Sequence, residues 1–237
     1  MPSEFMTHGS DSKTALVHRF FSGTGRSYDS MVNAATFGID HLWKRRMVNL
    51  IPHHANRILD LACGTGISTL AIARQFPHCQ VVGVELRDEY LLIARRKVQA
   101  LGLRNIEFIL SRAEDYRSGE PFDCVSSSYL AKYADLKCLI PALKDMLSKD
   151  GLLIMHDFTF PPKAYLVWIW RLYFKILQWV GCPLFPAWRE IFYGLPRLIE
   201  QTRWVPELRA ELEANGFRDI RMEYLTLYGS AIITARK

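Results

Sequence analysis

The chain has 237 residues, 49% hydrophobic and 23% charged, with a formal net charge of +6. That is the balance of an ordinary globular chain, long enough for one large domain with a full core, and the modest basic excess fits an anionic membrane surface or nucleic acid without requiring either. Five widely spaced cysteines with no CxxC, and seven histidines with no HxxxH or HExxH, argue against a disulfide framework or a zinc site and make a reducing cytosol the default.

Residues 1–13 are polar and lack the apolar core of a signal peptide, so they are expected to be disordered, leaving a single domain over 14–237. Residues 14–51 are helical in tendency. From Arg57 onward strands and helices alternate. Ile58–Leu61 is a short apolar strand, and Ser68–Gln75 has helical spacing. Gln80–Glu85 is a second strand, followed by an amphipathic helix over Glu89–Leu101 that stops at Gly102. Asn105–Leu110, Phe122–Ser127 and Gly151–Phe158 read as three more strands, with a helix over Leu136–Leu147. This order predicts parallel βαβ units with right-handed crossovers. The last helix, Pro206–Asn215, is followed by two extended segments with little between them, which predicts a hairpin and an antiparallel strand added to the sheet. The fold class is therefore α/β, a Rossmann-like doubly wound sheet. Two segments fall outside the alternation, 14–51 and 161–203, and each is expected to cover the open edge of a site beyond the carboxyl ends of the strands.

The junction Asp60-Leu-Ala62-Cys-Gly64-Thr-Gly66 lies between the first strand and its helix, where backbone amides and a helix N-terminus meet ligands. It is not GxxxxGK[ST], and Thr69 stands where a dinucleotide fingerprint has its third glycine. Glu85 ends the second strand, where a carboxylate accepts hydrogen bonds from ribose hydroxyls, with Leu86 beside it. Ala113 and Glu114 follow the third strand, where an adenine edge would lie, and Ser128 closes the fourth. An adenosine cofactor without phosphate fits this set, and S-adenosylmethionine is such a molecule. The alternatives are tight turns and solvated acids with no ligand.

At these residues the chain resembles the class I S-adenosylmethionine-dependent methyltransferases, with DLACGTG as the first motif and Glu85 at the ribose-binding acid. The resemblance implies a seven-stranded sheet with its last strand inserted antiparallel. A narrower likeness, to the ubiquinone/menaquinone biosynthesis C-methyltransferases, rests on Tyr28, Asp29, Met31 and the block Phe37-Gly38-Ile39…Leu42-Trp43-Lys44, and on HDFTFP at 156–161. It implies cofactor contact at Tyr28 and methylation of a hydrophobic aromatic acceptor, a prenylated quinol at carbon. One departure stands out. Where that family has Gly-Leu-Arg-Asn or close to it, this chain has Leu-Ala-Lys132-Tyr133, keeping the charge without the guanidinium fork. Such a reaction needs a base, or a cation that stabilises a phenolate. Asp29, His156 and Asp157 are the base candidates and Lys132 is the phenolate's partner.

The segment 163–193 is dense in aromatic residues, with Arg171, Lys175 and Gln178 at helical spacing. It is too short and too charged to span a bilayer. It is expected to meet a membrane surface or a lipid-like substrate, placing the protein in the cytoplasm or on the cytoplasmic face of a membrane. Packing on the domain and a homodimer contact are the alternatives. No aromatic-interleaved basic platform is present, so no nucleic acid is expected. The rival functions are O-, N- or C-methylation of another small or lipid-like molecule, a nicotinamide-dependent oxidoreductase, and a non-catalytic adenosine-binding protein.

Overall fold

The computed structural model describes residues 7–237, with side chains from Lys13 onward. At its centre is a seven-stranded sheet, with β1 (Arg57–Leu61), β2 (Gln80–Glu85), β3 (Ile106–Leu110), β4 (Phe122–Ser128), β5 (Leu147–Phe158), β6 (Arg218–Leu225) and β7 (Ser230–Arg236) in the order β3-β2-β1-β4-β5-β7-β6. The pairs β1–β2, β1–β4, β2–β3 and β4–β5 are parallel, and β7 is antiparallel to both β5 and β6. The central strands are near-continuous apolar runs because both faces are covered: Ile58, Leu59 and Leu61 are fully buried. The order reverses between β1 and β4, and a crevice opens there at the carboxyl ends.

Three differences from the sequence-based expectation have local causes. Helix α1 runs Thr7–Phe21, so helix replaces the disorder expected for 7–13, while residues 1–6 lie outside the described residues. Strand β5 begins at Leu147, four positions before Gly151, because Phe122 pairs with Leu147 across an irregularity that resumes at Cys124 and Leu152. The aromatic segment is not one helix. It comprises α7 (Ala164–Ile176), a π turn (Leu177–Gly181), the short α8 (Cys182–Leu184) and α9 (Arg189–Gln201).

Helices α4 (Ile67–Gln75), α5 (Asp88–Leu101), α6 (Leu136–Met146) and α10 (Trp204–Ala214) flank the sheet. Helices α1, α2 (Tyr28–Ala35) and α3 (Ile39–Val48) join the aromatic segment over its carboxyl edge. There Phe20 and Met31 share an apolar cluster with Tyr133, Trp188, Ile191 and Phe192. Two segments far apart in sequence thus form one roof. Among the described residues no helix is long and apolar enough to cross a membrane.

Candidate active site

Two cavities lie beneath the roof. The first is a narrow cleft of about 110 Å³ at the ends of β1, β2 and β3, lined by Tyr28, Ala62, Gly64, Glu85, Leu86, Ala113, Glu114 and Ser128 among others. Every one of these was singled out from the sequence. The second is an apolar cavity of about 350 Å³ between α2, α7 and α9. Phe21, Tyr28, Tyr129 and Tyr133 belong to the walls of both.

The glycine-rich turn shapes the cleft. Ala62, Gly64 and Gly66 all have positive φ, at 52°, 57° and 86°. A Cβ on Gly66 would come within 3.2 Å of Ala94 Cβ, so this glycine lets α5 pack closely as well as turning the chain. Gly66 itself caps α4 and does not line the cleft. Nor does Asp60, which sits beneath the turn. Its fully buried carboxylate accepts hydrogen bonds from Ser68 Oγ (2.8 Å), Thr69 Oγ1 (2.6 Å) and Ser126 Oγ (2.9 Å). Asp60 and Gly66, expected from the sequence to contact a ligand, are placed here as supports of the turn. Thr69 at the third-glycine position thus clamps the first motif.

Glu85 faces the cleft with its carboxylate fixed by the amides of Gly64 and Arg87, each at 2.9 Å. Burial raises its pKa, and the amide bonds and Arg87 oppose that shift. Each carboxylate oxygen keeps lone pairs free for hydroxyl donors. Arg87 Nε is buried without a partner among the described residues. The other charges of the guanidinia are answered: Arg87 pairs with Glu89 at 3.4 Å, and Arg112 with Asp115 at 3.6 Å. An acid oriented for a diol and a glycine turn fit a nucleoside; Lys13 also borders the cleft and donates to the Ala134 carbonyl.

The four residues proposed for chemistry are placed differently from one another. Lys132 lines the apolar cavity. It is 3% exposed and ion-paired with Asp157, which also accepts from the amides of Lys132 (3.1 Å) and Phe158 (2.7 Å). Burial lowers the Lys132 pKa and Asp157 acts against that. The three base candidates, Asp29, His156 and Asp157, line neither cavity. Asp29, a base candidate from the sequence, is paired with Lys97 and accepts from Thr65 Oγ1, which tethers α2 to the glycine turn. His156 has both ring nitrogens engaged, with Ser128 Oγ at 3.0 Å and Ser230 Oγ at 3.2 Å. Asp157 is fully buried against Lys132.

His156 carries a pH consequence. Burial first, then Lys44 and Lys132, pull its pKa well below that of a free imidazole. Below about pH 6.5 the unfolded chain therefore binds a proton that the folded chain refuses. From this group, stability should fall as pH drops through that window, by up to about 1.4 kcal/mol per pH unit. Urea unfolding of wild type and His156→Gln at several pH values checks this. The variant should show the shallower dependence, and equal slopes would remove His156 as a contributor.

The sequence reading passed over the groups that close the wall between the cavities. Tyr129, with φ of 68°, stacks on Phe158 at 4.5 Å and donates its hydroxyl to Asp40 Oδ1 at 2.6 Å. Asp40 and Lys44 are buried and paired one helical turn apart on α3, and Lys44 Nζ lies 4.6 Å from the centre of the Tyr129 ring. Their i, i+4 spacing was a legible signal. The left-handed backbone of Tyr129 was not.

Comparison with known proteins agrees with this geometry. The family model described as the ubiE/COQ5 methyltransferase family matches residues 6–237. A demethylmenaquinone methyltransferase of Thermus thermophilus is 34% identical over 220 residues, covering 90% of this chain and 97% of the relative. A ubiquinone/menaquinone biosynthesis C-methyltransferase UbiE of Blochmanniella pennsylvanica is 29% identical, covering 94% and 89%. Among solved structures, the geranyl diphosphate C-methyltransferase of Streptomyces coelicolor superposes with a TM-score of 0.61 at 14% identity, covering 89% of this chain and 84% of that one, and so shares the fold. The chain belongs to the ubiE/COQ5 methyltransferase family and is an S-adenosylmethionine-dependent methyltransferase.

Proposed function

We propose that this enzyme methylates a ring carbon of a prenylated quinol, working at the surface of a cytoplasmic membrane. The observation that carries the reading is the shared wall: a cleft built for a nucleoside meets a larger apolar cavity at Phe21, Tyr28, Tyr129 and Tyr133. The quinone chemistry in the relatives' names agrees with it.

When bound, S-adenosylmethionine supplies an activated methyl group on a positively charged sulphur. Glu85 and the Gly64 turn fix its nucleoside end. The four shared aromatic residues set where the two cavities touch, and holding reactants in line supplies several kcal/mol of the barrier reduction. The apolar walls limit water, and Lys132, which lines the cavity, provides positive charge beside an acceptor oxygen that loses its proton. Incubation with labelled cofactor and a demethylated prenylated quinol tests the reading; label on a ring carbon supports it, and no transfer or transfer to oxygen rejects it.

The mouth of the apolar cavity supports the membrane part. Phe37 and Leu227 line the cavity yet are 80% and 68% exposed, and Trp168 and Trp179 of the aromatic segment are 67% and 82% exposed. Arg171 and Gln178 contact Glu200 and the Phe192 carbonyl of α9, and the exposed face of α7 carries Tyr165, Trp168, Ile169, Leu172 and Ile176 with Lys175 among them. Such a face suits an anionic interface. Flotation with anionic vesicles should carry the wild type at low salt. The double variant Trp168→Ser/Trp179→Ser should partition at least roughly thirtyfold less, since two indoles at about 1 kcal/mol each contribute about 2 kcal/mol on burial. A wild type that does not float and has a dimer's mass would assign this face to a second copy instead.

A further inference from the structure

We infer that Tyr129 and Asp40 form a proton relay that takes the acceptor's hydroxyl proton out of the apolar cavity. The inference rests on the quinol reading above, and it fills a gap there, because Asp29, His156 and Asp157 line neither cavity.

Carbon methylation of a quinol releases one proton per turnover, and among the described residues no carboxylate or imidazole lines the apolar cavity to take it. Tyr129 is a wall residue of both cavities, and its hydroxyl already donates to a buried carboxylate, Asp40, at 2.6 Å. A phenol that donates in one direction keeps an oxygen lone pair that accepts in another. Its position is fixed from three sides. Phe158 stacks on the ring within 10° of parallel, Lys44 lies over it, and the backbone adopts a positive φ that a non-glycine residue holds only where the surroundings enforce it. Asp40 is 1% exposed but also borders an outer cleft with Asn33, His41, Arg74 and Lys97. The carboxylate thus stands between the reaction cavity and a polar opening on the far side of α3.

The step balances as follows. The acceptor's O–H proton moves to Tyr129 Oη as the Tyr129 proton moves to Asp40 Oδ1. The electron pair left on the acceptor oxygen feeds the adjacent ring carbon, which bonds the methyl carbon as the carbon–sulphur bond breaks. The ring hydrogen then passes as a proton from the methylated carbon to the acceptor oxygen, which restores the aromatic ring and its hydroxyl. The net product is one proton, and the outer cleft receives it from Asp40. Negative charge moves from Asp40 to the acceptor oxygen, while Lys44 and Lys132 keep positive charge within 4.6 Å and 5.2 Å of the Tyr129 ring centre. The buried site therefore never gains or loses net charge during the transfer, which limits the desolvation cost.

The test compares wild type, Tyr129→Phe, Asp40→Asn and the double variant. Turnover of the demethylated quinol should fall about 10²-fold in each single variant, the lower end for general-base catalysis. The double variant should be no worse than the poorer single one, because both act on one path. S-adenosylhomocysteine affinity, measured by calorimetry, should stay within about threefold. A second readout needs no turnover: a nitro-substituted naphthol bound with S-adenosylhomocysteine should show the phenolate spectrum in wild type and the neutral spectrum in both single variants. A purely structural role would not move that spectrum. Wild-type turnover in Tyr129→Phe, or a phenolate spectrum equal to wild type in both single variants, would overturn the relay. A wild type that ionises the naphthol but does not methylate the quinol would keep the relay and reject the acceptor.

Discussion

Lys132→Met should lower the stability of the folded chain by about 3–5 kcal/mol, the usual cost of removing one partner from a buried ion pair. Lys132 and Asp157 are 3% and 0% exposed, and no water-facing surface is left to dissipate the carboxylate's charge once the ammonium is gone. Asp157 retains two backbone donors, the amides of Lys132 and Phe158, which hold it in place but do not neutralise it. The companion change discriminates. Asp157→Asn added to Lys132→Met removes the stranded charge, keeps an acceptor oxygen for one of those two amides, and should recover a large part of the loss. Urea denaturation of the wild type and both variants measures this. Equal stability of the single and double variants would show that the pair does not hold this corner of the sheet. The sequence alone suggested a cation serving only turnover. The structure makes it a structural ion as well, so turnover of Lys132→Met is interpretable only at a temperature where the variant is folded.

Glu85→Ala should weaken S-adenosylhomocysteine binding by about 1–3 kcal/mol, the range for hydrogen bonds to a charged group. That corresponds to roughly a tenfold to hundredfold rise in Kd. Two effects add. The carboxylate that would take the ligand's hydroxyls is lost, and the Gly64 and Arg87 amides it now fixes at 2.9 Å lose their acceptor. Glu85 ends β2, whereas the two cavities meet at Phe21, Tyr28, Tyr129 and Tyr133, so turnover at saturating cofactor should change much less than affinity. Calorimetry and initial rates separate the two. An unchanged Kd would contradict the assignment of this cleft.

Much of the fold was legible because its signals are local. Apolar runs bounded by glycines located the strands, and the closeness of Arg218–Leu225 to Ser230–Arg236 announced the terminal hairpin. The cofactor cleft was legible because its residues stand at successive strand ends, which one motif and the period of the fold identify. The sequence did not separate Asp60 and Gly66 from the residues that line the cleft, because one motif contains both the lining and the supports beneath it, and only burial distinguishes them. The reaction side was less legible, since it is assembled from α1, α2, α3, the end of β4 and the aromatic segment, which meet only in three dimensions. His156 and Asp157 lie on a strand with the right chemistry, but their side chains point into the sheet's own polar contacts. Tyr129 gave no signal, because nothing in its neighbours predicts a left-handed tyrosine held by a carboxylate 89 positions earlier.

The central claim is transfer of a methyl group from S-adenosylmethionine to a ring carbon of a prenylated quinol. The most direct test supplies methyl-labelled cofactor and a demethylated prenylated quinol to the purified chain in anionic vesicles, followed by mass spectrometry of the extracted lipid. The account predicts a product heavier by one labelled methyl that survives ether cleavage, with a quinol lacking its tail reacting more slowly. A label lost on ether cleavage, or no labelled lipid from a protein that binds S-adenosylhomocysteine, would contradict it.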